Sequence, residues 1–81
     1  MATGSSDLEH LIRARRAAKD GSGRELRHAN GLSIADVAGE VEAAEATIWR
    51  WERGERRPTG AAAIRWGRLL QRLDAMKQAA S

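Results

Sequence analysis

Residues 33–54 read SIADVAGEVEAAEATIWRWERG, and the spacing within them decides the fold. Ser33 precedes an apolar series, Ile34, Val37, Ala38 and Val41, whose intervals of three and four place all of them on one face of a helix. The Ser33 hydroxyl is positioned to accept from the backbone amide near Asp36, whose carboxylate falls in the positive first turn. Gly39 costs about 1 kcal/mol against Ala inside such a helix, which is tolerable where another backbone lies close by. Glu42-Ala43-Ala44 forms a corner, and a second helix runs from Glu45 to Arg53 until Gly54 stops it. Ile48 and Trp51, three apart, face inward; Ala46, Trp49, Arg50 and Arg53 face out. A face with two large outward residues beside small ones is built for contact with a partner.

Downstream, Arg56-Arg57-Pro58 is a basic, extended loop, because Pro58 disfavours helical geometry at Arg57. Thr59 is expected to cap a long last helix over about Gly60 to Ala79. That helix carries two apolar rows, Ala63, Gly67 and Leu70, and Trp66, Leu69, Leu73 and Met76, which is more than one face needs. Either an N-terminal stripe of Leu8, Leu11 and Ile12 covers the second row or a second copy of the protein does; the expectation is the stripe for most of it and a dimer through the end.

Upstream, Ser6 and Glu9 form a capping-box signature for an amphipathic helix over about Asp7 to Lys19, after an unstructured start at 1–6. Its basic face, Arg13, Arg15, Arg16 and Lys19, is either solvated or in contact with DNA phosphates or an anionic membrane. Asp20-Gly21-Ser22-Gly23 breaks the pattern, and Ser22 is expected to cap a further helix, Gly23 to about Asn30, with Leu26 and Ala29 inward and Gly31 as its left-handed stop.

A chain of 81 residues allows one domain, 7–81 here, which buries only roughly 60 to 65 per cent of its unfolded surface. Ala supplies much of the 42% hydrophobic content and Phe and Tyr are absent, so three Trp with Leu, Ile and Val must carry the packing of an all-α bundle. Lys plus Arg number 14 against 11 acids, and Arg predominates, which suits bidentate contact with phosphate or guanine. There is no Cys, and His10 and His28 have no ligand cluster around them, so neither disulfide nor metal site is expected. The first residues lack an apolar signal core and no stretch approaches the ~18 apolar residues of a membrane span, so a cytoplasmic protein is expected. No Ser/His/Asp set, carboxylate pair or phosphate-cradling loop is present, and the expectation is that the chain is not an enzyme and uses no cofactor.

The stretch Arg24 to Leu73 resembles the Cro/C1-type helix-turn-helix domain, the xenobiotic-response-element group of phage repressors and small bacterial regulators. The resemblance lies in Leu26-Arg27, Gly31-Leu32-Ser33, Val37-Ala38, Thr47-Ile48, the run Trp51-Glu52-Arg53-Gly54, and Arg56-Arg57-Pro58. It implies a lambda-repressor-like bundle of about five helices, with the helix before residue 24 an addition. It also implies that Glu52 pairs with Arg27 to hold the recognition helix at a fixed angle, and that Ala38 is small because the two helices of the motif cross there.

The family's base-contacting positions fall on Ala44, Glu45, Ala46, Trp49, Arg50 and Arg53. Arg50 is the leading candidate, because a guanidinium bonds guanine O6 and N7 together. Arg53, Arg56, Arg57 and Thr59 are expected to hold phosphates and set register. Three positions depart from the family: Glu42 stands for the usual glycine of the turn, Ala44 for a Ser cap and Ile34 for a Gln that reaches a phosphate. The function implied is a sequence-specific regulator of transcription on double-stranded DNA, a small repressor or Cro-like homodimer in the cytoplasm at the nucleoid, with no small-molecule substrate. The alternative is a protein-interaction module, an antitoxin or a polymerase-binding protein, that keeps the fold and uses Trp49, Trp66 and the acidic turn.

Overall fold

Five helices follow one another in the computed structural model, which describes residues 3–80: α1 (Thr3–Asp20), α2 (Ser22–Ala29), α3 (Ile34–Val41), α4 (Glu45–Glu52) and α5 (Gly60–Ala80). No strand occurs among the described residues. The architecture is an all-α bundle in which α5 touches α1, α2 and α3, and α3 and α4 pack on each other.

The core forms where Trp51 of α4 meets Trp66 of α5, ring centroids 5.1 Å apart and tilted by 35°. Ile48, Val41 and Leu70 are fully buried around them. Rings this large need a small neighbour, and Gly23 supplies it: a Cβ there would lie 2.7 Å from the Trp66 ring.

α1 is longer than its sequence pattern predicts and buries a different face. It begins at Thr3, so Ser6 lies inside the helix and is not its cap; the earliest residues of the expected unstructured start lie outside the described ones. Ala14, Ala17 and Ala18 are buried, Leu11 is partly so, and Leu8 and Ile12 stay 55% and 41% exposed. The cause is close approach. A Cβ on Gly67 would run into the backbone of His10, so α1 and α5 cross at contact distance and only small side chains fit between them. The second apolar row of α5 is accordingly not covered by Leu8 and Ile12: Leu69 and Leu73 turn towards α3, lining a groove with Leu32 and Val37, and Trp66 goes to the Trp51 contact. Gly39, inside α3, has nothing near its Cβ position, so the close approach expected there is absent.

The helix ends follow local chemistry. Ser22 is the first residue of α2 rather than its cap; Gly21 holds the cap position with φ 81°, and Asp20 Oδ1 accepts from the Ser22 amide at 2.9 Å. That bond, to backbone first and hydroxyl second, lowers the Asp20 pKa. α2 ends with Gly31 at φ 67° and the Leu32 amide donating to Arg27 O at 3.0 Å, and Ala29 is exposed rather than inward. At α3 Ser33 and Asp36 form a reciprocal capping box, each side chain accepting from the other's amide at 2.9 Å; the Ser33 amide first and the Ser33 hydroxyl second lower the Asp36 pKa.

Candidate nucleic-acid interface

The corner between α3 and α4 turns on Glu42, which takes φ 61° and ψ 49° and donates its amide to Ala38 O. A side chain in this left-handed region costs roughly 1–2 kcal/mol, and Glu42 is the only non-glycine residue among the described ones to adopt it. Ala43 donates to the same carbonyl at 3.0 Å, and Arg65 of α5 brings Nε to Val41 O at 2.6 Å, so the end of α3 is held by a side chain from outside the pair. Ala44 stands at the N-cap of α4 without a side-chain bond; its carbonyl accepts from Thr47 and Ile48.

α4 divides cleanly into two faces. Inward, Ile48 and Trp51 are buried and Glu52 forms a two-pronged pair with Arg27: Arg27 Nε donates to Oε2 at 2.7 Å and Nη2 to Oε1 at 3.0 Å. The remaining prong of Arg27 donates from Nη1 to Leu32 O at 3.0 Å. Both side chains are nearly sealed from solvent, at 11% and 3% exposure. The hydrogen bond to Glu52 pushes the Arg27 pKa above its already high ordinary value, so the guanidinium keeps its charge.

Outward, Ala44, Glu45, Ala46, Trp49 and Arg50 are all exposed, and Glu45, Ala46, Trp49 and Arg50 line a shallow groove with Ile34 of α3. α4 closes at Glu52 with Arg53 as its C-cap, one residue earlier than its pattern predicts, and Gly54 follows at φ 73° with Glu55 donating to Arg50 O at 2.9 Å. The Arg53 guanidinium lies 4.5 Å above the Trp49 ring and its Nε reaches Glu55 at 3.3 Å. Trp49 is thereby fixed as a flat, half-exposed wall beside Arg50. Among the described residues none pairs with the Arg50 side chain.

The loop after α4 carries Arg56 and Arg57 in solvent, while Pro58 is buried and its carbonyl accepts from Arg15 Nε of α1 at 3.0 Å. Thr59 is exposed and makes no side-chain cap; the chain enters α5 through Gly60 at φ 77°. The supporting roles of Arg15 and Arg65 leave no signal in the sequence, because both residues lie far along the chain from the carbonyls they hold. Among the described residues no three His, Cys, Asp or Glu side chains gather as a metal site, and no helix is long and apolar enough to cross a membrane.

Residues 24–80 match the family model described as a helix-turn-helix domain, a span that begins within α2, takes in α3 to α5 and leaves α1 outside. No curated protein and no solved structure matches the chain.

Proposed function

The chain belongs to the helix-turn-helix domain family, and from this premise we propose that it is a sequence-specific regulator of transcription that reads double-stranded DNA with α4 in the major groove. In this reading it is a small repressor of Cro/C1 type, bound as a homodimer to a two-fold site and acting by covering a promoter. The observation that carries the proposal is the outer face of α4: an exposed Arg50 without a partner among the described residues, flanked by small and flat residues, on a helix whose inner face is clamped by a buried ion pair.

The chemistry of that face suits base edges. Arg50 offers two parallel donors to guanine O6 and N7, Glu45 accepts from cytosine N4, and Ala46 lies against a thymine methyl. Trp49, steadied by Arg53, packs on sugar or methyl, and Ala44 sets the closest approach of the backbone. Arg53, Arg56, Arg57 and Thr59 hold phosphates and fix register without reading sequence. Met76, 59% exposed at the far end of α5, is the surface through which a second copy completes the two-fold arrangement.

Selection of bound duplexes from random DNA tests this directly. The expected outcome is an enriched motif repeated about a two-fold axis; recovery of sequences no different from the input defeats the proposal. A protein-binding module, by contrast, would show no steep loss of DNA affinity with rising salt.

A further inference from the structure

We infer that α1, which lies outside the family match, extends the DNA-backbone contact through Lys19, with Arg15 positioning the adjoining loop. The inference rests on the DNA-binding reading above.

Two contacts place this end of α1 beside the basic loop. Arg15 Nε holds Pro58 O at 3.0 Å, directly after Arg56 and Arg57. At Gly54 a Cβ would stand 3.3 Å from Ala18 O, so the last turn of α1 passes against the glycine that ends α4. Lys19 follows Ala18 and lies four residues from Arg15, on the flank of α1 that the Arg15 contact turns towards the loop. It is exposed and among the described residues has no partner.

The result is that Lys19, at the end of one helix, lies beside the loop that carries Arg53, Arg56 and Arg57 and extends its cationic surface. A row of exposed cations continuous with a phosphate-binding loop fits a regularly spaced polyanion, and the duplex carries one charge per ~1.7 Å of axis. An anionic membrane is a weaker match, because Glu55 stands within that surface and the apolar residues of α1 that remain exposed, Leu8 and Ile12, lie towards its other end.

The test is the salt dependence of binding by the full chain to the duplex that selection returns, for wild type, Lys19→Gln and Lys19→Arg. One phosphate contact contributes about 0.9 to the slope of log affinity against log salt. For Lys19→Gln the loss of affinity between about 50 and about 200 mM salt is therefore expected to be about 3.5-fold smaller than for wild type. Lys19→Arg should restore the wild-type slope, and base preference should be the same in all three. An unchanged slope in Lys19→Gln, with wild type still selecting its motif, overturns the inference and leaves the DNA-binding reading standing. If wild type selects no motif and binds no duplex, both fall. Lys19-dependent binding to phosphatidylserine vesicles with an unchanged DNA slope assigns the helix to a membrane and also overturns the inference.

Discussion

The two faces of α4 use the same residue type for opposite ends. On the inner face Arg27 donates from all three of its nitrogens to Glu52 and Leu32, almost sealed from water; on the outer face Arg50 has no partner among the described residues. A guanidinium held by a buried carboxylate and a carbonyl fixes an angle, whereas one left open keeps its two-pronged recognition for a ligand. The division of labour therefore lies in the partners and not in the side chain, and each of the following measurements bears on it.

The largest effect is expected for Arg27→Ala. It strands the Glu52 carboxylate in the core, a loss of about 3–5 kcal/mol, which would unfold much of so small a domain; denaturant titration reads it. A loss below about 1 kcal/mol would mean that the inner face does not depend on the pair. Gly67→Ala comes next, because the new methyl collides with the His10 backbone and forces α1 off α5. Overpacking of this kind costs about 1–3 kcal/mol, and faster amide exchange in α1 should accompany the lower melting point.

Arg50→Ala is the mirror of Arg27→Ala. Stability should stay within about 0.5 kcal/mol, while discrimination between the selected site and its guanine-substituted variant falls by about 1–3 kcal/mol in footprinting titrations. If both quantities move together, the two faces are not separable. Glu42→Gly relieves a left-handed side chain at the corner and should raise stability by about 1 kcal/mol by thermal melting, without altering the outer face.

The smallest effect comes from acid. Asp20 and Asp36 have pKa values lowered in the folded state by the amides that donate to them. Their contribution is present above the ordinary carboxylate range and is lost as pH falls through the lowered folded values, so melting points should drop below about pH 4. Asp36→Asn should flatten that drop slightly. Asp36 is as exposed as Arg50 yet serves the fold, so exposure alone does not sort structural from contact residues.

What could be read from the residues was what local chemistry decides. The Ser33 cap, the stops at Gly31 and Gly54 and the corner at Glu42 each depend on a few neighbouring positions, and each is found where it is expected; the return bond from the Ser33 amide to Asp36 completes the cap. Gly39 and Gly67 look alike in sequence, two glycines inside helices, but only Gly67 meets another backbone. The distinction is made by the crossing of α1 with α5, which no local pattern encodes. The same crossing buries the alanines of α1 in preference to Leu8 and Ile12, against the usual ranking of side chains. At the site, the outward set on α4 follows from helical periodicity, whereas the side chains that hold its surroundings, Arg15 and Arg65, reach across 43 and 24 positions to bare carbonyls. A carbonyl leaves no mark in the residue that bears it.

The three tryptophans also divide along the same line, and this gives the molecule two optical channels. Trp51 and Trp66 are almost fully enclosed and in ring contact, while Trp49 is 43% exposed beneath the Arg53 guanidinium. Blue-shifted emission from the enclosed pair tracks folding, and red-shifted emission from Trp49 tracks whatever covers the outer face. A single fluorescence titration can therefore separate occupancy from unfolding without an added label.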